Sequence, residues 1–317
     1  MPPTSLPGLS LPASPIALGT MLYGSRITTA DSFALMEEFH ARGGNILDTA
    51  YGYAGWLPDG AGCSERTIGE WLRRTGLRDQ VLFATKGGQP DSLTREPRFT
   101  LKHLDHDLNT SLDRLRLPQC DLYWFHRDDV NIPVGELMDW AAQKISSGLF
   151  LAIGAGNWTN SRLRAAAQWC RAHDKPNFVA SQIGWSLAES NPTAITDPTL
   201  IHLSPPDYDD FMNVGLPIFA YQAQARGIFD PVKRLQSERI ARYDTPITHQ
   251  RLQSVDPIAQ TYGVTPNQVA LAWFWDHPVP VHPVVGARTV AQLNDAMDSV
   301  DLKLSAAEWH ELSRVVL

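Results

Sequence analysis

Short apolar runs alternate with amphipathic segments along almost the whole of this 317-residue chain. A strand that is buried on both faces of a sheet reads as a continuous apolar run, whereas a surface helix places apolar residues three or four positions apart. Regular alternation of the two indicates parallel strands joined by crossover helices. Eight such units in a chain of this length favour a closed (β/α)8 barrel, the α/β architecture called the TIM barrel, over an open doubly wound sheet.

The predicted elements follow one another without a linker, so we expect a single domain over residues 1–317. An open sheet that binds a dinucleotide usually has a GxGxxG turn after its first strand, and here LYGSRI follows instead. The predicted strands are 16–21, 45–50, 81–86, 121–126, 150–155, 177–182, 216–221 and 281–286. The predicted helices are 31–41 with Asp31 as its cap, 64–75, 100–115, 133–148, 161–172, 252–262, 266–276, 290–300 and 305–316. Irregular structure is predicted for 1–14, 188–210 and 222–250.

Charge and cysteine usage argue against several classes of function. The net charge is −7 and no block of basic residues occurs, so we expect neither nucleic acid nor an anionic membrane as a partner. Cys63, Cys120 and Cys170 are odd in number and lack zinc-site spacing, which favours reduced thiols in a cytoplasmic protein. The N-terminus lacks the basic and apolar regions of a signal peptide, and the chain has no apolar run of about 18 residues that would span a membrane.

Polar side chains stand where three consecutive predicted strands end. The second strand reaches Asp48, and Tyr53 follows it in a glycine-containing loop. The third strand ends in Lys86, and the fourth ends in His126. Because the active site of a β/α barrel lies at the carboxyl ends of its strands, these four side chains are expected to meet over one pocket. The alternative for each is structural: a turn cap, a rim aromatic, a solvated strand end or a core histidine.

Together these groups suit protonation of an oxygen that gains negative charge. A phenol with a pKa of about 10 is a weak acid at neutral pH, and an ammonium beside it is expected to lower that pKa. Asp48 would keep Lys86 charged, Tyr53 would donate the proton, and a histidine would orient the carbonyl. The sequence has no nucleophile elbow and no cluster of metal ligands, so no metal is expected. A carbonyl that accepts hydride fits best, and hydride requires a nicotinamide or flavin cofactor.

From about residue 15 to residue 300 the sequence resembles the aldo-keto reductase family, in the branch of bacterial aldo/keto reductases and potassium-channel β subunits. The family's pattern is an aspartate, a tyrosine five residues later, and a lysine and a histidine ending the next two strands. Other stretches that resemble family motifs are LGTM at 18–21, GAGNW at 154–158, AY at 220–221, ARG at 225–227 and VGART at 285–289. The resemblance implies an NADP(H)-dependent aldo-keto reductase or alcohol dehydrogenase acting on a small-molecule carbonyl or alcohol.

The resemblance also implies the cofactor contacts. Asn157 and Gln182 would bind the nicotinamide carboxamide, and Tyr221 would stack on the nicotinamide ring. Arg288, beside a helix N-terminus near Val290, suits a 2′-phosphate, so NADP(H) is expected in preference to NAD(H). The expected cofactor residues are Gly19, Thr20, Met21, Asp48, Asn157, Gln182, Tyr221, Arg226, Gly286, Arg288, Gln292 and Asp295.

Four positions depart from the family's pattern. Gly156 stands where a serine would hydrogen-bond the carboxamide, and Gln222 replaces the serine that follows Tyr221. In the expected adenine site Asp295 replaces a glutamate and Ala296 replaces an asparagine. These departures concern recognition of the cofactor and leave the catalytic groups intact.

Aromatic residues near the strand ends are candidates for a substrate pocket, with packing on the barrel rim as the alternative. They are Tyr23, Trp56, Trp158 and Trp185. Such walls suit a sugar ring, a steroid-like ring or a simple aldehyde.

Two other functions stay open: an NADP(H)-binding regulatory module that turns over slowly and acts through a protein partner, and a metal-dependent isomerase. The sequence does not distinguish a monomer from a homo-oligomer.

Overall fold

The structure is a computed structural model that describes residues 2–235 and 241–314. Eight parallel strands pair in chain order, and the last closes onto the first to complete a barrel. The prediction of a (β/α)8 barrel is therefore confirmed. The strands are β1 Ala17–Gly19, β2 Ile46–Asp48, β3 Leu82–Gly87, β4 Cys120–Phe125, β5 Phe150–Gly156, β6 Ser181–Gly184, β7 Ile218–Tyr221 and β8 Val281–Val285.

Helices connect the strands and form the outer layer of the barrel. They are α1 Thr29–Ala41, α2 Cys63–Thr75, α3 Leu101–Leu115, α4 Val134–Ser146, α5 Asn160–His173, α6 Tyr208–Val214, α7 Pro246–Tyr262, α8 Pro266–Ala272, α9 Val290–Asp298 and α10 Ala306–Ser313. Most of them begin after a threonine or serine whose hydroxyl accepts a backbone N–H of the first turn, which stabilises the helix start. Among the helices of residues 2–235 and 241–314, none has the length and apolar character needed to cross a membrane.

The cap of α1 differs from the predicted one. The hydroxyl oxygen of Thr28 accepts a hydrogen bond from the backbone N of Asp31 at 3.1 Å, so Thr28 is the cap and Asp31 lies in the first turn. The Asp31 carboxylate in turn accepts a hydrogen bond from the Thr28 hydroxyl at 2.6 Å. A negative charge in the first turn is favourable because it faces the positive end of the helix dipole.

Parts of the segments predicted to be irregular are helical. Helix α6 begins at Tyr208 because Phe211 and Met212 bury their side chains there. Helix α7 begins at Pro246 rather than at 252, because Thr245 caps it and proline suits the first helical position. Strand β6 starts at 181 rather than at 177. Three parts of these predictions lie outside the described residues, namely Met1, residues 236–240 and residues 315–317.

The N-terminal segment, also predicted to be irregular, covers the amino-terminal end of the barrel. Thr4 and Ala13 form an antiparallel bridge with N–H to O distances of 2.9 and 2.7 Å. Leu6 is buried in the interior cluster that contains Ile46 and Leu82, which are the first residues of β2 and β3. The segment therefore shields apolar side chains that the strands alone would leave open to water.

The register of the strands brings the predicted catalytic residues to one level. Asp48 lies opposite Gly19 on one side and opposite Ala84 on the other. Because side chains alternate along a strand, Lys86 points to the same face as Ala84. The backbone N of His126, just past β4, donates to the carbonyl of Gly87 at 2.8 Å. These side chains therefore share the carboxyl-terminal mouth of the barrel.

Candidate active site

Lys86 is the centre of the candidate site, and its side chain has no exposed surface. Its Nζ lies 2.6 Å from Asp48 Oδ2, 3.0 Å from the Tyr53 hydroxyl oxygen and 2.7 Å from the Thr49 carbonyl oxygen. An ammonium has three N–H donors, and these acceptors use all of them. Burial lowers the pKa of Lys86, and the Asp48 carboxylate opposes that change. The network therefore fixes the position of the ammonium and supports its charge.

Asp48 is bonded on both carboxylate oxygens. Oδ2 accepts from Lys86 and faces the hydroxyl of Tyr53 at 3.4 Å, while Oδ1 accepts from Gln182 Nε2 at 3.0 Å. The bond from Gln182 connects β6 to β2 across the barrel mouth. Thr20, which follows β1, donates its hydroxyl to the Asp48 carbonyl oxygen at 2.9 Å. Groups from β3, β6 and the loop after β2 thus hold the carboxylate of Asp48, and Thr20 holds its backbone carbonyl.

The pKa of Tyr53 is raised, not lowered as the sequence led us to expect. Burial of the phenol is the main cause, followed by the charge and the hydrogen bond of Asp48, while Arg127 acts in the opposite direction. The expectation was wrong because it counted the neighbouring ammonium alone. In the folded site the carboxylate that accompanies Lys86 also faces the phenol, and a buried phenolate loses its hydration.

His126 is buried beside Tyr53, and the two ring centroids lie 6.0 Å apart in an edge-to-face arrangement. Burial lowers the pKa of His126 well below its usual value, and the cations Arg127 and Lys86 lower it further. The ring is therefore neutral at pH 7. Its Nδ1 is buried without a hydrogen-bond partner in the described part of the chain. A neutral imidazole retains one N–H donor, which suits it to hold a neutral or negative oxygen.

Sequence reasoning missed Arg127, a buried arginine next to His126. Its Nη1 donates to the His126 carbonyl oxygen at 2.8 Å, and its Nε donates to the Thr199 hydroxyl at 2.8 Å. Its Nη2 lies 3.5 Å from Asp197, at the long end of an ion pair. The charge influences the pKa of both Tyr53 and His126. The available signal was its position: an arginine directly after a strand-ending histidine belongs to the same barrel mouth.

Asn157 and Tyr221 are joined to each other and to the loop after β6. Asn157 Oδ1 accepts from the Tyr221 hydroxyl at 2.7 Å and from the backbone N of Ile201 at 3.0 Å. Its Nδ2 donates to the His126 carbonyl oxygen at 3.1 Å. Asn157 has a φ of 59°, in the left-handed region that asparagine tolerates better than most residues. The amide is thereby placed next to His126.

The residues predicted to bind phosphate lie at and after the end of β8. A Cβ atom built on Gly286 would meet nothing within 4 Å, so open space lies beside this backbone. Thr289 caps α9, and Gln292 Oε1 accepts from the backbone N of Arg288 at 3.0 Å. Arg288 itself is exposed. An open backbone, a helix N-terminus and an exposed guanidinium form a donor set that fits a phosphate group.

Asp295 is held by helix α8. Its two carboxylate oxygens accept from the Thr265 hydroxyl at 2.6 Å and from Asn267 Nδ2 at 2.8 Å.

Arg226, another predicted cofactor residue, lies in a short turn with a φ of 56°. In the segment after β1, Met21 is 42% exposed, whereas Thr20 is buried.

The four predicted substrate-pocket residues fall into different environments. Trp56 is 37% exposed in the loop after Tyr53. Tyr23 and Trp158 have no exposed surface. Trp158 is stacked on Phe125, and its indole N–H donates to the Arg127 carbonyl oxygen at 3.1 Å. Trp185 is buried in the helical layer. The burial of Tyr23, Trp158 and Trp185 follows from packing of the large rings between strands and helices, so of the four only Trp56 has a strongly exposed side chain.

In residues 2–235 and 241–314, no group of three or more His, Cys, Asp or Glu side chains is arranged to hold a metal ion. Cys63, Cys120 and Cys170 are free cysteines.

The neutral state of His126 makes folding sensitive to acid. The folded pKa of His126 lies below the unfolded value of about 6.5. The contribution of His126 to the free energy of unfolding is therefore at its full size above pH 6.5, and it falls below that pH because the unfolded state takes up a proton. The loss grows as the pH falls toward the folded pKa, because over that range the unfolded state binds the proton and the folded state does not. The free energy of unfolding would be measured by urea titration at pH 7.5 and pH 5.5. We expect it to fall less between these two pH values in His126→Gln than in the wild type. His310→Gln, at an exposed histidine of α10, is the control. An equal loss in His126→Gln and wild type would contradict the neutral assignment.

Comparisons with known proteins agree with the barrel fold. The norsolorinic acid reductase stcV of Emericella nidulans is 27% identical, and the alignment covers 96% of this chain and 78% of that protein. The aryl-alcohol dehydrogenase [NADP(+)] of Phanerodontia chrysosporium is 25% identical, with 99% and 87% covered. A crystal structure of an aldo/keto reductase from Klebsiella pneumoniae, in complex with NADP and acetate, superposes with a TM-score of 0.70 at 20% identity, with 98% and 93% covered.

A family model also matches nearly the whole chain. The model of the Aldo/keto reductase family matches residues 15–316. This range includes all eight strands and the residues Asp48, Tyr53, Lys86 and His126. The chain belongs to the aldo/keto reductase family.

Proposed function

We propose that this chain is an NADP(H)-dependent oxidoreductase that interconverts a carbonyl and an alcohol, with Tyr53 as the general acid and base. The observation that carries the proposal is the contact of Lys86 Nζ with both the Tyr53 hydroxyl and the Asp48 carboxylate, at 3.0 and 2.6 Å. A bound NADP(H) would supply or accept the hydride. The substrate is an aldehyde, a ketone or a sugar carbonyl, or the corresponding alcohol in the reverse direction.

Each catalytic side chain has a separate task. The Tyr53 hydroxyl gives its proton to the carbonyl oxygen as that oxygen gains negative charge. Lys86 already donates a hydrogen bond to the Tyr53 oxygen, so a positive charge is in place when the phenol loses its proton. Asp48 keeps that ammonium charged in a buried site. The neutral ring of His126 holds the carbonyl oxygen through its N–H.

The raised pKa of Tyr53 is consistent with this role in reduction. A phenol with a raised pKa stays protonated at pH 7 and is ready to donate. Proton loss becomes favourable only when a stronger base, the carbonyl oxygen that has received hydride, lies beside the hydroxyl. Lys86 and Arg127 then offset the negative charge that remains on the phenol oxygen. The site thus holds the proton until the substrate requires it.

The cofactor proposal rests on groups at two places around the barrel mouth. Asn157 and Gln182 offer amides beside the catalytic residues, and Tyr221 adds an aromatic ring bonded to Asn157. Arg288 and the N-terminus of α9 suit a 2′-phosphate, which favours NADP(H) over NAD(H). The name of the Phanerodontia relative and the ligand of the Klebsiella structure support the same choice. The other proposed contacts are Gly19, Thr20, Met21, Asp48, Arg226, Gly286, Gln292 and Asp295.

We also propose that residues 1–317 act as one domain in the cytoplasm. The family model matches residues 15–316, and the three free cysteines suit a reducing compartment.

Tyr53→Phe tests the proposed acid. We expect it to lower kcat/KM for NADPH-dependent reduction of 4-nitrobenzaldehyde by about 100- to 10,000-fold, because a proton donor is lost. The Kd for NADPH should stay within about twofold of the wild type. Tyr51→Phe is the matched control, since among the described residues the Tyr51 hydroxyl makes only a long contact of 3.5 Å with His106. Full activity of Tyr53→Phe would contradict the assignment. Tight NADPH binding by the wild type, without turnover of a carbonyl panel, would favour the regulatory module instead.

Arg288→Ala tests the choice of cofactor. The ten tryptophans of the chain give a fluorescence signal for titration with NADPH and NADH in parallel. We expect the wild type to bind NADPH more tightly, and Arg288→Ala to weaken NADPH binding by about tenfold or more while NADH binding changes little, because a charge-assisted phosphate contact is removed. Arg171→Ala, on the exposed surface of α5, is the control. Equal binding of both cofactors by the wild type would contradict the role of Arg288.

A further inference from the structure

A cavity of about 140 Å³ lies in the outer layer of the protein. Its lining includes three indole rings, those of Trp185, Trp273 and Trp309, which come from the end of β6, the turn after α8 and helix α10. Trp185 and Trp273 meet edge to face with ring centroids 5.3 Å apart. These rings form an aromatic enclosure that the catalytic argument does not use.

The barrel wall separates this cavity from the catalytic groups. Gln182 points into the barrel mouth, because its amide donates to Asp48. Side chains alternate along a strand, so Trp185, three positions later, faces the opposite side. Trp185 accordingly packs with Phe274, at a centroid distance of 5.2 Å, in the layer between strands and helices. The cavity is therefore a separate site.

Arg251, on helix α7, brings a buried positive charge to this cavity. Its side chain is 6% exposed, and its Nη1 donates to the Leu187 carbonyl oxygen at 2.7 Å. Its Nε is buried without a partner, and within the described residues no carboxylate lies within 4.0 Å of the guanidinium. Burial lowers the pKa of Arg251 to about 10, so it stays cationic at pH 7. The Glu189 carboxylate opposes this decrease in pKa from a distance, so the guanidinium has a nearby negative charge but no direct ion pair within the described residues.

His277 adds a second polar atom without a partner. Its Nδ1 lies 2.8 Å from the Tyr208 hydroxyl, while its Nε2 is buried and makes no hydrogen bond in the described part of the chain. Burial lowers the pKa of His277 to about 3, with Arg251 contributing, so the ring is neutral at pH 7. Glu189 also lines the cavity and is partly buried, and its charge raises the pKa of Arg251 without forming a direct ion pair with it.

We propose that this cavity is a binding site for a small aromatic carboxylate, whose ring lies among Trp185, Trp273 and Trp309 and whose carboxylate binds Arg251. The size agrees with one ring, since an apolar cavity of about 150 Å³ in another protein holds benzene. A guanidinium beside aromatic faces provides both a charge-assisted donor for the carboxylate and an apolar surface for the ring. The inference does not depend on the proposed oxidoreductase activity.

The test is a fluorine NMR titration of the full-length chain with 4-fluorobenzoate at pH 7, with uncharged 4-fluorotoluene in parallel. We expect saturable binding of the carboxylate, weaker binding of 4-fluorotoluene, and a loss of affinity of about tenfold or more in Arg251→Gln, with recovery in Arg251→Lys. Tyr53→Phe should bind 4-fluorobenzoate as the wild type does. The absence of saturable binding, or equal binding by Arg251→Gln, would overturn the proposal.

Two further results decide where the ligand binds. Leu203→Phe fills part of the cavity and leaves Arg251 in place, so it should also weaken 4-fluorobenzoate binding. If Arg251→Gln does not fold, the affinity of Leu203→Phe for 4-fluorobenzoate decides the test. Affinity that falls in Tyr53→Phe and not in Leu203→Phe would place the ligand in the catalytic site and overturn the proposal.

Discussion

The buried ion pair between Lys86 and Asp48 is the interaction on which the rest of the site depends. Two charges without access to water are costly unless each is paired and fully hydrogen-bonded. Here Lys86 uses its three donors on Asp48, Tyr53 and the Thr49 carbonyl, and Asp48 receives a further bond from Gln182. Removing either charge would leave the other buried and unpaired. The pair therefore fixes the position of the phenol that is proposed to transfer the proton.

The barrel supplies what the pair requires. The register of β2 and β3 sets Asp48 opposite Ala84, so that Lys86, two residues on, reaches the carboxylate from the same face. The loop after β2 then turns back far enough for Tyr53 to contact both partners. Beside this centre Arg127 adds a positive charge and holds the backbone of His126, and the loop after β6 holds Arg127. The chemistry is thus assembled from four strand ends, and each contributes one or two side chains.

Part of this arrangement was predictable from the sequence, for a physical reason. Buried strands leave a periodic signal, and a polar residue that ends an apolar run, such as Lys86 or His126, has no structural role in a core. The sign of the Tyr53 pKa shift was not predictable, because it depends on how burial and Asp48 compare with the ammonium in three dimensions. The burial of Trp158 and the helix from Tyr208 also depend on tertiary packing.

A double-mutant cycle on catalysis tests the central claim most directly. Rates of carbonyl reduction would be measured for the wild type, Asp48→Asn, Lys86→Met and the double variant under saturating NADPH. If the two residues act as one unit, each single change should remove most of the rate, and the double variant should be about as slow as the slower single variant. Effects that multiply independently would contradict the account, because they would mean that Asp48 does not act through Lys86.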